Sequence, residues 1–169
     1  MAQDIKVTAL HIKHALLFYF RYERQRLCAT EFEGMDVVVH DGFEVHEIEV
    51  KISKYDLWKG EAKKRKHGPA SNSCFGTIGY HAKPDRFSVA VPNELLEEAE
   101  KWVQATNPKY GILLFQNGVT ICVRKSAKRL TSRVPGYPGQ DWTKRISMRV
   151  CSENVGLLGR LLKTKDGQS

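Results

Sequence analysis

The chain has 169 residues, of which 41% are apolar, so it is long enough to bury the core of one compact domain. No run approaches the roughly 18 apolar residues of a membrane-spanning helix, and residues 1–6 lack the apolar stretch of a signal peptide. These features predict a cytoplasmic protein with no membrane partner. The four cysteines are widely scattered, which predicts neither a disulfide framework nor a zinc site.

The net charge of +8 is concentrated in two stretches. Residues 51–67 carry seven Lys or Arg against two acids, and residues 124–149 carry eight against one. A protein that is basic for solubility alone would spread this charge along the chain. Two basic stretches on an otherwise mildly acidic chain therefore predict a polyanionic partner, and nucleic acid is the one favoured.

Residues 7–27 predict the first helix. Apolar residues such as Leu10, Leu17 and Phe18 recur at helical spacing, and Thr8 is placed to cap the first turn. The second half of this helix is aromatic and basic.

Two strands are predicted next, at residues 31–39 and 43–53. The second strand alternates apolar and polar residues, so Glu47, Glu49 and Lys51 share one face. The Asp-Gly pair between the two runs is a hairpin signal. A hairpin would bring a second carboxylate, from the first strand, to the end of the sheet that holds Glu49 and Lys51.

That second carboxylate is Asp36, which opens the apolar run of the first strand. Two carboxylates can supply the hard oxygen ligands of a Mg²⁺ site, and the lysine adds a cation beside them. The competing interpretation is a solvated strand face that carries cross-strand ion pairs.

The pattern of Asp36 followed by Glu49-Val50-Lys51 resembles the PD-(D/E)XK nuclease superfamily, in which an Asp opens one strand and Glu-x-Lys lies on the next. The resemblance covers about residues 1–100 and is closest to small phage or bacterial nuclease-like and DNA-repair proteins; Met35 replaces the usual proline. It implies an α/β restriction-endonuclease-like core with a mixed sheet flanked by helices. It also implies Mg²⁺ or Mn²⁺ bound by Asp36, Glu49 and the carbonyl of Val50.

In such a site Lys51 would position or deprotonate the attacking water, or neutralise charge on the phosphorus, and the sequence does not choose between these roles. The resemblance further implies a catalytic Glu from the first helix, whose single acid is Glu23. An exposed Glu23 paired with a neighbouring Arg is the alternative. Glu31 and Glu33, at the approach to the first strand, are rival carboxylates.

A short basic helix is predicted from Tyr55 to Lys66, followed by a long loop over residues 67–85 that is placed to cover a substrate groove. Compensation of the helix dipole is one explanation of the cations in its last turn. Four consecutive cations exceed that need, so phosphate contact is favoured. The predicted nucleic-acid-binding residues of this stretch are Lys54, Lys63, Lys64, Arg65 and Lys66.

The remainder of the predicted sheet and its second helix follow. A strand is predicted at 86–91, a helix at 93–106, and a second hairpin at 110–115 and 119–123, around Gln-Asn-Gly. Nothing in these segments indicates chemistry.

The last part of the chain is predicted to be a basic arm with a C-terminal helix. Residues 124–149 show no periodicity, and Ser152 is placed to cap an apolar helix from Val155 to Lys163 that needs burial on its own body or on a second subunit of a homodimer. The domain division is therefore a nuclease-like domain at 1–124 and an appendage at 125–169. The predicted phosphate contacts of the arm are Arg124, Lys125, Lys128 and Arg129.

Taken together, these features predict a Mg²⁺-dependent endonuclease that hydrolyses phosphodiester bonds in DNA and uses no small-molecule cofactor. No sequence-reading module is recognisable, so recognition of DNA structure or backbone is expected more than base readout. The alternative is a non-catalytic nucleic-acid-binding protein that retains the nuclease fold.

Overall fold

A single mixed sheet organises the described part of the chain; the computed structural model describes residues 7–32, 34–60, 84–130 and 142–166. The first three strands pair antiparallel, the third, fourth and fifth pair parallel, and the sixth is antiparallel to the fifth. The predicted α/β class with a mixed sheet flanked by helices is confirmed. The strands, in spatial and chain order, are β1 (Leu27–Phe32), β2 (Met35–His40), β3 (Val45–Val50), β4 (Arg86–Pro92), β5 (Gly111–Gln116) and β6 (Thr120–Lys125).

Among the described residues, three α-helices cover the two faces of this sheet: α1 (Ala9–Phe18), α2 (Leu96–Thr106) and α3 (Trp142–Asp166). Side chains of β2 alternate between the faces, so Val37 packs in the cluster with α1 and Val38 packs with α3. Helix α2 lies on the same face as α3 and packs against β4 and β5. Within the described ranges no helix is long and apolar enough to cross a membrane.

The first helix begins as predicted and ends earlier than predicted. The Thr8 side chain accepts a hydrogen bond from the His11 amide, and His11 accepts one from the Thr8 amide in return. After Phe18 the helix continues as a π-helical turn, Tyr19–Glu23, and the chain then enters β1. The helix therefore stops at Glu23, where residues to 27 were predicted. The single strand predicted at 31–39 is wrong, because β1 ends at Phe32 and β2 begins at Met35.

Helix α3 is much longer than the predicted C-terminal helix. It begins at Trp142, inside the stretch that was predicted to be an arm without periodicity. Ile146 is fully buried against Ala29 and Val38, which gives this part of the helix a tertiary partner. Two polar residues of α3 also bind the backbone of β1. Arg149 Nε donates to the Thr30 carbonyl at 3.1 Å, and the Thr30 amide donates to Glu153, so these side chains satisfy backbone groups of an edge strand.

The start of the predicted arm is also fixed to the body of the protein. The Lys128 amide donates to the Lys109 carbonyl, and the Leu130 amide donates to the Asp85 carbonyl, both at 2.8 Å. Residues 128–130 therefore lie beside the amino ends of β4 and β5, where these two backbone hydrogen bonds hold them. The helix predicted from Tyr55 appears as a π-helical turn, Asp56–Gly60, as far as the described residues extend. Glu33, the long loop and the cations Lys63, Lys64, Arg65 and Lys66 lie outside the described residues.

One buried histidine gives the fold a predictable pH dependence. His46 Nε2 lies 2.8 Å from Ser88 Oγ on the α1 face of the sheet. Burial, followed by the positive charge of Arg86, lowers the pKa of His46 to about 4 from 6.5, against a smaller opposing contribution from Asp41. The folded protein therefore holds this imidazole neutral at neutral pH.

Between pH 6.5 and 4 the unfolded chain takes up a proton on this imidazole and the folded chain does not. The contribution of His46 to the free energy of unfolding is therefore complete above about pH 6.5 and is lost as the pH falls towards 4. His46 should contribute a slope of up to about 1.4 kcal/mol per pH unit in this window. Urea unfolding of a His46→Gln variant at several pH values should show a flatter dependence. The exposed His14→Gln variant is the control, and an equally steep slope in His46→Gln would contradict the prediction.

Candidate functional site

Three acidic residues, here called the carboxylate row, occupy neighbouring backbone positions near one end of the first three strands: Glu31, Asp36 and Glu49. Thr30 pairs with Val37, and Val37 pairs with Ile48. Phe32 pairs with Met35, so Glu31 lies opposite Asp36, and Glu49 lies one residue beyond the last pair of β2 and β3. The predicted pairing of β2 with β3 is present, and it places the backbone positions of Asp36 and Glu49 near the same end of the sheet, with Glu31 on the next strand.

Both oxygens of Asp36 have partners. Oδ2 accepts a hydrogen bond from the Val50 amide at 2.9 Å, which ties the carboxylate to β3. Oδ1 lies 2.7 Å from the ammonium of Lys13, which projects from α1 and also contacts Glu31. The Asp36 side chain keeps 23% of its surface exposed, so solvent reaches this end of the row.

The Lys13 ammonium is held in its charged form by this contact. Burial alone lowers the pKa of Lys13, but hydrogen bonds and the charges of Asp36 and Glu31 outweigh burial and raise the pKa above its ordinary value. The side chain is 13% exposed. Lys13 is thus a cation between two carboxylates that arrive from separate strands.

The other end of the row holds a second lysine. Lys51 Nζ lies 3.3 Å from Glu49 Oε2 and 3.8 Å from Asp56 Oδ1. Glu49 is 1% exposed and Lys51 is 4% exposed, so this pair is removed from solvent. Glu47, predicted to share their face, is buried as well and lies opposite Val38 and Phe87 in the sheet. A solvated strand face, the competing interpretation of the sequence, does not describe these side chains.

The backbone at Glu31 is unusual. Its φ of +49° lies in the left-handed region, which costs a residue other than glycine about 1 kcal/mol or more. Such strain is common at functional sites. Here the conformation accompanies the contact that Glu31 makes with Lys13.

The donor set is compatible with a divalent metal ion. Mg²⁺ is usually bound by one or two carboxylates, with water and substrate phosphate completing its coordination, and Asp36 and Glu49 supply two such groups. Val50, predicted to offer its carbonyl, is fixed beside Asp36 through its amide. Among the described residues, no three His, Cys, Asp or Glu side chains converge closely enough to form a metal cage. An ion here would therefore depend on few protein ligands.

Glu23, the predicted carboxylate from the first helix, is not brought to this row. It is exposed in the π-helical turn that leads into β1, and β1 starts beside His40. His40 is four residues from Asp36 along β2, a distance of about 13 Å. Glu31, one of the two rival carboxylates, occupies the position beside Asp36 instead.

The described basic residues are distributed over different parts of the surface. Lys54 lies 3.0 Å from Glu98, and Arg124 lies 2.8 Å from Glu100, so both are paired with α2. Arg129 lies 3.5 Å from Glu44, just before β3 begins. The two remaining predicted phosphate contacts are Lys125 and Lys128. Lys125 is the last residue of β6, and the backbone of Lys128 is hydrogen-bonded to Lys109, before β5 begins.

An open cleft of about 400 Å³ lies at the carboxyl ends of β4 and β5, lined in part by Asn93, Gln116 and Asn117. Strands β3 to β5 are parallel, so the cleft is at the same end of the sheet as Glu49 and Lys51. In open α/β sheets, ligands commonly bind beyond the carboxyl ends of parallel strands. This end of the molecule therefore combines the buried charges with an accessible depression.

Two residues that contact the charges at this site, Asp56 and Lys13, were not predicted from the sequence. Asp56 was not among the predicted site residues; its amide donates a hydrogen bond to the Ser53 hydroxyl at 3.1 Å, and its carboxylate lies 3.8 Å from the Lys51 ammonium. Lys13 gave no local signal, because its contacts depend on how α1 packs on the sheet. No family model, curated protein or solved structure matches the chain, so the chemistry of this site rests on the geometry of its own residues.

Proposed function

We propose that this protein is a metal-dependent nuclease that hydrolyses phosphodiester bonds in DNA, built on a PD-(D/E)XK-like core. The observation that carries the proposal is the hydrogen bond at 2.9 Å from the Val50 amide to Asp36, beside Glu49, whose Oε2 lies 3.3 Å from the Lys51 ammonium. The order of one helix, three antiparallel strands and a parallel fourth strand is compatible with that core. The basic stretch that follows Lys51 supports a polyanionic substrate.

In this proposal the side chains divide the work. Asp36 and Glu49 hold Mg²⁺ or Mn²⁺, which supplies Lewis-acid activation of water and of the scissile phosphate. The hydrogen bond from the Val50 amide keeps Asp36 aligned. Lys51 orients the attacking water or offsets the negative charge that develops on the phosphate. Asp56, 3.8 Å from the same ammonium, helps to set its position.

The test is a cleavage assay on labelled DNA in duplex, single-stranded, flapped and branched forms, with Mg²⁺, Mn²⁺ or EDTA. We expect cleavage with either metal and none in EDTA. A preference for particular DNA structures over particular sequences would agree with backbone recognition. Binding to DNA with no cleavage under any of these conditions would refute the nuclease.

The second candidate is a nucleic-acid-binding protein that retains this fold without catalysis. It is favoured by one observation: both Asp36 oxygens are engaged, by Lys13 and by the Val50 amide. In that case the cations of the row would stabilise the fold. Tight DNA binding that is indifferent to divalent ions would support this candidate.

The placement of the basic residues predicts which of them contact DNA at the site. Lys54 and the exposed Lys59 follow Lys51 directly along the chain, whereas Lys128 lies near the amino end of β5. Changing Lys54 and Lys59 together to Gln should reduce the slope of log affinity against log salt by about one to two. Fluorescence anisotropy over a salt series measures this slope.

The matched control is the pair Lys125→Gln and Lys128→Gln, which removes the same charge elsewhere. We expect its slope to stay close to that of the wild type. The reverse result, a flatter slope only in the control, would place the DNA on the surface of residues 124–129.

A further inference from the structure

Lys13 occupies a position that the proposed metal site needs. Its ammonium is 2.7 Å from Asp36 Oδ1 and also contacts Glu31, so one cation bridges carboxylates from β1 and β2. The neighbouring residue Ile12 is fully buried in the core beneath α1, which fixes the base of the Lys13 side chain. With 13% of its side chain exposed, Lys13 is held in place by packing as well as by charge.

We propose that Lys13 is the built-in counter-ion of the carboxylate row, and that a divalent ion binds Asp36 only when this ammonium withdraws. The inference rests on the proposed metal-dependent function and adds a control on the same site. An ammonium at hydrogen-bond distance from Asp36 fills a coordination position, and it repels a second cation in a partly buried setting. Metal and lysine therefore compete for the same oxygen.

The withdrawal of Lys13 has a consequence for Glu31. The same ammonium holds both carboxylates, so its departure frees Glu31 beside Asp36. Glu31 lies opposite Asp36 across the β1–β2 pairing and is then available as an additional oxygen ligand. The site would change from a lysine-neutralised pair of carboxylates to a metal-bound one.

The test is Mn²⁺ binding by isothermal titration calorimetry, with Lys13→Met as the central variant. Methionine keeps much of the length and apolar character of the side chain and removes the charge. We expect Lys13→Met to bind Mn²⁺ about tenfold more tightly than the wild type, because the competing cation is gone. Adding Glu31→Gln to Lys13→Met should reverse part of this gain.

The matched control is Lys101→Met. Lys101 is also paired with a carboxylate, at 3.5 Å from Glu98, but it is 63% exposed on α2 and has no contact with Asp36 or Glu31 among the ion pairs of the described residues. Its Mn²⁺ affinity should equal that of the wild type. In EDTA, Lys13→Met should melt at a lower temperature than the wild type, because Glu31 and Asp36 lose their shared cation. Mn²⁺ should raise its melting temperature by more than it raises that of the wild type.

A measurement on the wild type covers the case in which Lys13→Met does not fold. Acylation of lysines by an amine-reactive reagent, read by mass spectrometry, reports how accessible each ammonium is. Saturating Mn²⁺ should raise the modification of Lys13 several-fold and leave that of the exposed Lys101 unchanged. In that case, unchanged modification of Lys13 overturns the proposal.

If Lys13→Met folds, its Mn²⁺ affinity tests whether Lys13 and the metal ion compete for Asp36. An affinity equal to or weaker than that of the wild type overturns the competition between lysine and metal. If the wild type cleaves DNA but Lys13→Met binds Mn²⁺ no more tightly, the proposed nuclease activity is supported and only the proposed role of Lys13 is refuted. If Lys13→Met binds Mn²⁺ more tightly but the wild type does not cleave DNA, the proposed role of Lys13 is supported and the proposed nuclease activity is refuted.

Discussion

Glu49→Gln is expected to lower metal-dependent DNA cleavage by about 1,000-fold or more, because it removes a charged oxygen ligand from the proposed metal site. Glutamine has nearly the same shape, so the packing of β3 is preserved. Glu49 is 1% exposed, and the proposed effect is therefore on chemistry inside the site and not on surface charge. Single-turnover cleavage at saturating Mg²⁺ and DNA measures the loss directly.

The control for this experiment is Glu97→Gln, which removes the same charge from an exposed position on α2. We expect its cleavage rate to stay within about twofold of the wild type, since surface substitutions have small effects. Circular dichroism and the melting temperature establish that both variants are folded. A folded Glu49→Gln protein with full activity would remove Glu49 from the site.

Lys51→Met is expected to destabilise the fold by about 3 kcal/mol, because breaking a buried ion pair leaves a charge in a poorly solvated position. The ammonium lies 3.3 Å from Glu49, and both side chains are almost completely buried. Urea unfolding at neutral pH measures the change in the free energy of unfolding. The double variant Glu49→Gln/Lys51→Met should be less destabilised than the sum of the two single variants, because it removes both charges.

The comparison variant is again Lys101→Met, whose ion pair with Glu98 is exposed. Exposed pairs contribute about 0–1 kcal/mol, so this change should be small. If Lys51→Met costs no more than Lys101→Met, the buried pair contributes little to stability, and a loss of cleavage in Lys51→Met would then report on catalysis alone. Additive single and double variants would show that Glu49 and Lys51 do not act as a pair.

Local sequence was enough to predict the central hairpin, whose two strands carry Asp36 and Glu49. Alternation along β3 and the Asp41-Gly42 turn determined which residues pair, and Gly42 adopts the positive φ of +97° that this turn requires. Asp41 Oδ1 accepts hydrogen bonds from the amides of Phe43 and Glu44, which stabilises the same turn. Because the register follows from the turn, the position of Asp36 and Glu49 near one end of the paired strands could be predicted from residues close together in the chain.

The tertiary structure alone decided what surrounds that pair. Lys13 reaches Asp36 because α1 packs Ile12 into the core against the sheet, and no pattern in the helix itself specifies where its lysine will lie. The start of α3 at Trp142 likewise depends on Ile146, whose burial against β1 compensates for a stretch without clear periodicity. Strand alternation and turn chemistry are set by neighbouring residues. Contacts between distant segments are set by how whole elements pack, and these contacts supplied Lys13 and removed Glu23 from the site.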